Sequence, residues 1–158
     1  MVFGLLKDIK KGEYRTIATP VEIAALARSG HRCLVQRGAG AGAGFPDSAY
    51  AAASAELRDT AAEIFAEADL VAKVKELEPP EYPLLREGQI VFTCLHPAAN
   101  PEEVQALLRS RCIAFTAEDS HRHGSPNCEA AGKQGALFGL ESMLSINGGK
   151  GKFVSGLG

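Results

Sequence analysis

Short apolar runs alternate along the chain with longer stretches in which apolar residues recur every three or four positions. The short runs predict buried β-strands, and the longer stretches predict amphipathic helices. The predicted strands are Val2 to Leu6, Arg32 to Gln36, Ala55 to Arg58, Asp69 to Val74, Ile90 to Leu95 and Cys112 to Thr116. Strands that alternate with helices indicate a mostly parallel sheet with helices on both faces. The pattern therefore predicts an α/β fold.

Capping residues mark where the helices begin. The predicted helices run from Thr19 to Gly30, Pro46 to Ala53, Thr60 to Ala68, Asn100 to about Arg111 and Cys128 to Ser145. The first and fourth begin with a capping side chain followed by proline, a residue that has no amide hydrogen to leave unpaired in the first turn. Thr60 and Glu63 have the spacing of a capping box, in which each side chain accepts a hydrogen bond from the other residue's amide.

Composition and charge exclude several classes of protein. The 158 residues suit a single domain, and the net charge of −2 gives no indication of a nucleic-acid partner. No apolar stretch approaches the ~20 residues that a membrane-spanning helix needs. The N-terminus has a short apolar run followed by charges, which is the reverse of the order in a secretory signal. We therefore expect a cytoplasmic protein.

Ionisable residues stand where several predicted strands end. Lys75 follows the fourth strand, His96 follows the fifth, and Arg15 lies in the polar loop after the first. The carboxyl ends of parallel strands meet at one edge of a sheet, here called the rim, and open α/β sheets bind ligands in a crevice there. We therefore expect Arg15, Lys75 and His96 to share the rim.

These three residue types suit a site for a small carboxylic acid. An arginine holds a carboxylate through two parallel hydrogen bonds, and a lysine at a strand end can hold a carboxylate or carbonyl oxygen. A histidine titrates near neutral pH and can exchange a proton with a reacting atom. Structural roles for each residue stay open: Arg15 as a surface loop residue, Lys75 as a side chain extending to solvent from its strand, and His96 as a cap of the next turn.

Two further motifs carry less weight. The Gly/Ala segment from Gly38 to Phe45 follows a strand, but its glycines lack the G-x-G-x-x-G spacing of a dinucleotide site, so we expect it to serve chain geometry. His121, His123 and Cys128 are residue types that bind metals, but no CxxC motif accompanies them, and we predict no metal site. The four cysteines are widely separated and favour buried free thiols in a reducing compartment.

Several segments, in order and over nearly the whole chain, resemble the N-terminal domain of the alanine dehydrogenase and pyridine nucleotide transhydrogenase family. The matching segments are Gly4 to Arg15 with Ala18 to Pro20, Gly38 to Phe45, Asp69 to Glu76, Arg86 to Ile90, Leu95 with His96, and Glu129 to Gly132. The chain departs from the family's usual residues at Leu6, Asp8, Thr16 and Leu77, and the segment before Glu129 is shorter.

The resemblance implies a flavodoxin-like or Rossmann-like three-layer domain that binds a small 2-oxo or 2-amino acid. It implies that Arg15, Lys75 and His96 bind the acid, and that His96, as the acid/base, and Lys75 are the catalytic residues. It implies a family domain over residues 1–146 and a glycine-rich linker over 147–158. The nicotinamide-binding domain that follows in the family is not contained in this chain, so no cofactor is expected to bind to the chain alone.

Several functions remain open at this stage. The chain can be the substrate half of an oxidoreductase, completed for NAD(H) chemistry by a further domain or subunit. It can also be a stand-alone module that binds or senses a small acid without redox chemistry. A cofactor-free lyase or isomerase that uses Lys75 and His96 is a third function. We expect a homo-oligomer, because a missing domain leaves apolar surface that binds a partner.

Overall fold

The computed structural model describes residues 1–117 and 126–151, with the backbone alone for 126 and 127. The chain divides into two compact units, Met1–Ala117 and Glu118–Gly158, and each is described by itself. Two of the residues whose types can bind metals, His121 and His123, lie outside the described residues, as does the tail from residue 152.

The first unit is built on a six-stranded sheet whose strand pairs are all parallel. Its strands are β1 (Val2–Leu5), β2 (Arg32–Gln36), β3 (Glu56–Arg58), β4 (Leu70–Ala72), β5 (Ile90–Thr93) and β6 (Ile113–Thr116). Its helices are α1 (Pro20–Arg28), α2 (Asp47–Ala52), α3 (Ala61–Glu67) and α4 (Pro101–Ser110). The strand order is β3-β2-β1-β4-β5-β6, so the α/β prediction with a parallel sheet is confirmed.

Two hydrophobic clusters cover the two faces of the sheet. On one face, α1 and α2 place Ile23 and Tyr50 against alternate strand residues such as Leu5 and Val35. On the other face, α3 and α4 pack against the residues in between, and the cluster includes Leu34, Ile64, Phe65, Val71, Val91 and Leu107. Successive strand residues point to opposite faces, so each of these strands must be apolar on both sides. Burial of each large side chain contributes about 1.5–3 kcal/mol.

The predicted starts of α1, α3 and α4 are confirmed, but one cap works differently. Thr19 and Thr60 each form a capping box with a glutamate three residues later. Asn100 precedes α4 as predicted, but its side chain makes no capping bond there. Its amide instead donates to the carbonyls of Leu95 and His96, at 2.9 and 3.3 Å. Asn100 is therefore the N-cap residue of α4, as predicted, but its side chain binds the backbone of the preceding turn and does not cap the helix.

The strands around the predicted site are shorter than the apolar runs suggest. β4 ends at Ala72 rather than at Val74, and β5 ends at Thr93 rather than at Leu95. Parallel bonding between the two segments nevertheless continues beyond these ends. The Lys73 amide donates to the Phe92 carbonyl at 3.3 Å, and the Cys94 amide donates to the Val74 carbonyl at 3.2 Å.

The second unit contains α5 (Pro126–Met143) and a following 3-10 turn, Ser145–Asn147. The predicted helix Cys128 to Ser145 is thus present but shifted by two residues at each end. Cys128 on this helix is exposed, so the expectation of buried thiols fails for it, while it holds for Cys33 and Cys94. Among the helices described, none combines the length and apolar character that crossing a bilayer requires.

Candidate functional site

The centre of the sheet is where the chain changes direction across it. β1 lies between β2 and β4, so the chain proceeds outwards through β2 and β3 and then returns to the other side of β1 with β4. The connections that follow β1 and β4 therefore run towards opposite edges of the sheet. Such a switch point leaves a crevice at the carboxyl ends of the strands. Arg15 and Lys75 lie in these two loops, and His96 lies in the loop after the neighbouring β5.

Two contacts tie the loop after β1 to the loop after β4. The buried Asp8 carboxylate accepts a hydrogen bond from the Lys75 backbone amide at 2.8 Å and one from the Lys10 amide at 3.2 Å. The Lys10 ammonium forms an ion pair with Glu76, which is 7% exposed. The structure therefore fixes the loop that carries Arg15 against the segment that carries Lys75.

Arg15 is held by Glu13. The Glu13 carboxylate accepts hydrogen bonds from the Arg15 backbone amide at 2.9 Å, from Nε at 2.8 Å and from Nη2 at 2.5 Å. The Arg15 side chain is 53% exposed, whereas the Glu13 side chain is 8% exposed. Hydrogen bonds from Arg15 lower the pKa of Glu13 to about 2, and the charge of Lys75 adds to the lowering. Glu13 is therefore ionised throughout the physiological range.

Three buried carboxylates hold the segment that carries Lys75. They accept hydrogen bonds from three backbone amides of that segment: Asp8 from Lys75, Glu103 from Leu77, and Glu81 from Glu78, at 2.7–2.8 Å. The Thr93 hydroxyl on β5 donates to the Lys75 carbonyl at 2.5 Å. Amides of an irregular segment that are buried need such partners. The backbone at Lys75 is thus held by its own chain on both its amide and its carbonyl side.

A buried lysine compensates part of this negative charge. Lys73 is 1% exposed and pairs with Glu81 at 2.8 Å and with Asp8 at 3.8 Å. Burial raises the pKa of Glu81, and the charge of Lys73 opposes the shift. Burial also raises the pKa of Glu103, to about 7, again against the charge of Lys73. The charge of one lysine, Lys73, therefore offsets the charges of three buried carboxyl groups. Protonation of Glu103 reduces the net negative charge that remains.

His96 adopts an unusual backbone conformation. Its φ is +45°, in the left-handed region that non-glycine residues seldom occupy. The Asn100 amide holds this turn through the carbonyls of Leu95 and His96. The His96 Nδ1 lies 3.8 Å from Glu76 Oε2, and the imidazole is 46% exposed. Glu76 thus lies between Lys10 of the first loop and His96 of the third.

The glycine segment supports the first loop sterically. A Cβ on Gly42 would lie 2.9 Å from the Tyr14 carbonyl oxygen, and a Cβ on Gly40 would lie 2.5 Å from the Tyr50 hydroxyl. The interpretation that this segment serves chain geometry therefore has a physical basis, because Gly42 allows close approach to the residue before Arg15. A pocket of about 380 Å³ lies here, lined among others by Lys7, Arg15 and Gly42.

The structure brings the three sequence-predicted residues to one rim, on three loops that are tied together. Arg15 lines the pocket beside the glycine segment, while Lys75 and His96 are not among the residues that line it. Sequence reasoning missed the supporting residues, which are Asp8, Glu13, Lys73, Glu76, Glu81 and Glu103. The available signal was Lys73 itself, a charged residue inside an apolar run. Within the described ranges no cluster of three His, Cys, Asp or Glu residues fits a metal ion.

Fold and rim together define an open, doubly wound α/β domain with a cation-bearing crevice at its switch point. Residues 4–130 match the model of the family described as alanine dehydrogenase/PNT, N-terminal domain. The chain belongs to this family, as the sequence resemblance implied.

Individual relatives agree with this assignment. Alanine dehydrogenases of Mycolicibacterium smegmatis and Bacillus subtilis are 39% and 37% identical to the chain over 163 aligned residues, which include 99% of it. A solved L-alanine dehydrogenase superposes with a TM-score of 0.88 at 32% identity over 99% of the chain. A transhydrogenase structure from Sinorhizobium meliloti matches 77% of the chain with a TM-score of 0.72 at 27% identity.

The match covers one part of the relatives. The chain spans 44% of the Mycolicibacterium smegmatis protein and 43% of the Bacillus subtilis protein. It spans 45% of the solved L-alanine dehydrogenase and 36% of the transhydrogenase chain. The similarity therefore concerns the N-terminal part of these proteins.

Proposed function

We propose that the chain is the substrate-binding part of an alanine dehydrogenase-like oxidoreductase, with a site for a small 2-oxo or 2-amino acid at the rim. The observation that carries the proposal is the linkage of three loops at the switch point. Asp8 and Glu76 join the loop of Arg15 to the segment of Lys75, and Glu76 also approaches His96. Three basic side chains on one supported rim suit an anionic substrate with a reacting oxygen or nitrogen.

Each residue has a distinct role in this proposal. The Arg15 guanidinium receives the substrate carboxylate, because its planar fork matches two carboxylate oxygens. The Lys75 ammonium binds the carbonyl or amino-bearing side of the acid, and its backbone is held by Asp8 and Thr93. His96 accepts or donates the proton at the reacting atom, since imidazole exchanges protons near neutral pH.

The described residues do not fit a nicotinamide cofactor. The glycine segment lacks the dinucleotide spacing, and Gly40 and Gly42 are packed against Tyr50 and Tyr14 rather than open to a pyrophosphate. We propose that NAD(H), which supplies hydride chemistry when bound, is held by a further domain or a separate subunit. The proposed arrangement is a family domain over residues 1–146 followed by a linker-like segment, 147–158.

The proposal extends to location and assembly. A cytoplasmic location is supported by the free thiols of Cys33 and Cys112, which suit a reducing compartment. A homo-oligomer is supported by the outer strand β6, where Ile113 and Phe115 are 49% and 55% exposed. Chemical cross-linking of the purified chain tests the second point.

Calorimetric titration of the chain with pyruvate tests the proposed site. We expect saturable binding, and we expect Arg15→Ala to weaken it by at least about tenfold, since a charged hydrogen bond contributes roughly 1.5–3 kcal/mol. Arg37→Ala is the matched control, because the Arg37 side chain is equally exposed and also paired with carboxylates. Absence of pyruvate binding, or binding that survives Arg15→Ala, would contradict the proposal.

Turnover separates the redox function from simple binding. Pyruvate, ammonia and NADH are added to the chain together with a candidate cofactor-binding subunit, and NADH absorbance is followed. Consumption of NADH that requires both components supports the oxidoreductase function. Pyruvate binding without turnover in any such mixture would favour a small-acid binding module instead.

A further inference from the structure

The pocket beside the glycine segment is larger than a three-carbon acid requires. Its volume of about 380 Å³ lies within the range of roughly 300–1,000 Å³ that is typical of sites for drug-sized ligands. Its charged lining residues are Lys7, Asp8, Lys10, Glu13 and Arg15. The pocket therefore has room for an acid longer than pyruvate, and its charges decide which groups such an acid carries.

Most of these charged side chains already have partners in the folded chain. Asp8 accepts hydrogen bonds from two backbone amides, and the Lys10 ammonium forms an ion pair with a buried glutamate. Glu13 forms an ion pair with Arg15. The Lys7 ammonium, in contrast, has neither a hydrogen bond nor an ion pair within residues 1–117 and 126–151. Lys7 therefore adds an uncompensated positive charge to the pocket.

The glycine segment allows the Lys7 side chain to lie along the side of the pocket. Lys7 comes two residues after the end of β1, and its backbone amide donates to Gln36 Oε1 at 3.0 Å. A Cβ on Gly38 would lie 3.7–3.9 Å from Nζ, Cε and Cδ of Lys7. The end of the lysine side chain is therefore in contact with Gly38, which itself lines the pocket.

The carboxylate of Asp47 also contacts Gly38, but it binds other groups. Its Oδ1 accepts a hydrogen bond from the Gly38 amide at 2.7 Å, and its Oδ2 lies 3.9 Å from Arg37 Nη1. An anion that enters the pocket therefore meets a lysine whose charge no carboxylate of the described residues neutralises.

We propose that Lys7 is a specificity-determining residue, whose ammonium binds the second carboxylate of a four- or five-carbon 2-oxo or 2-amino diacid. The inference rests on the proposed function, in which Lys75 and His96 bind the reacting end of the acid. A 2-oxo acid whose carbonyl oxygen faces these two residues directs both its carboxylate and its side chain away from them. Arg15 and Lys7 line the pocket, whereas the other two residues do not. This orientation therefore points both acid groups towards the cations of the pocket.

Two acids of equal length test this inference by calorimetric titration of the chain. The pair is 2-oxoglutarate and 2-oxopentanoate, which differ only in whether the last carbon is a carboxylate or a methyl group. We expect 2-oxoglutarate to bind at least about tenfold more tightly, which is the effect of one charge-assisted hydrogen bond. Lys7→Met should abolish this preference by weakening 2-oxoglutarate alone, and Lys7→Arg should retain most of it. Equal affinities of the parent chain for the two acids, or equal weakening of both in Lys7→Met, would overturn the inference.

Lys11 provides the matched control. It lies in the same loop and is exposed, but it does not line the pocket. Lys11→Met removes the same charge, and the preference for 2-oxoglutarate should stay within about twofold of the parent's, since salt screens an exposed charge outside the pocket. A loss as large as that in Lys7→Met would assign the effect to the net charge of the chain, and the inference would fail.

The outcomes separate this inference from the proposed function. If pyruvate binds and Arg15→Ala weakens it, but the parent chain shows no preference for 2-oxoglutarate, the proposed function stands and the inference fails. If Lys7→Met weakens 2-oxoglutarate while Arg15→Ala leaves its affinity unchanged, the assignment of Lys7 stands and the proposed role of Arg15 fails. Absence of binding for pyruvate and for both longer acids would overturn both proposals.

Discussion

Glu103 gives the chain a stability that depends on pH in an unusual direction. This residue of α4 is 0% exposed, and its Oε1 accepts from the Leu77 amide at 2.7 Å. Its Oε2 has no hydrogen-bond partner among the described residues. Burial raises its pKa from 4.5 to about 7, against the Leu77 amide and the charge of Lys73. The folded state therefore favours the protonated carboxyl group.

The sign and size follow from the linkage between proton binding and folding. A carboxyl group whose pKa is raised on folding makes its full contribution to stability at pH values below the pKa that it has in the unfolded chain. That contribution is lost as the pH rises through the folded value. With a rise from 4.5 to about 7 and about 1.4 kcal/mol per unit, the loss reaches about 3 kcal/mol at pH 8. Most of it falls between pH 5 and pH 8.

Glu103→Gln removes the titration while keeping an oxygen for the Leu77 amide. We expect the difference in unfolding free energy between variant and parent to shift by about 2–3 kcal/mol in favour of the variant between pH 5 and pH 8. Urea unfolding at intervals across this range measures it, and carboxyl groups that do not interact with Glu103 cancel in the difference. Glu102→Gln, on the exposed side of the same helix, should show no such shift. Parallel pH curves for the parent and Glu103→Gln would refute the reasoning.

Two further predictions concern the residues that support the rim. Lys73→Met leaves the Glu81 and Asp8 carboxylates buried without their cation, and should lower the free energy of unfolding by about 3–5 kcal/mol in urea. Adding Glu81→Gln should restore part of this loss, and an unchanged Lys73→Met variant would refute the ion-pair argument. Gly42→Ala forces a Cβ against Tyr14 and should cost about 1–3 kcal/mol and weaken pyruvate binding in calorimetry, whereas Gly132→Ala, with open space around it, should do neither.

The order and type of the elements could be predicted from the sequence because their causes are local. Apolar runs bounded by polar residues predicted the strands, and the Thr19–Pro20 pair and the Thr60–Glu63 capping box predicted two helix starts. Each signal lies within a few residues of the feature it determines. The placement of Arg15, Lys75 and His96 on loops at one edge followed from the same pattern, since parallel strands end at a common edge.

The supporting contacts of the rim depend on residues far apart in sequence. Asp8 and Lys75 are separated by 67 positions and Leu77 and Glu103 by 26, so no local pattern links them. Asn100 illustrates the same limit: the sequence marks it as a cap, but the folded turn at His96 offers carbonyls that capture its side chain. By itself, the sequence determined the α/β architecture and the rim that carries the basic residues. Only the tertiary structure decided which buried carboxylates hold that rim, because burial creates their partners and their pKa shifts.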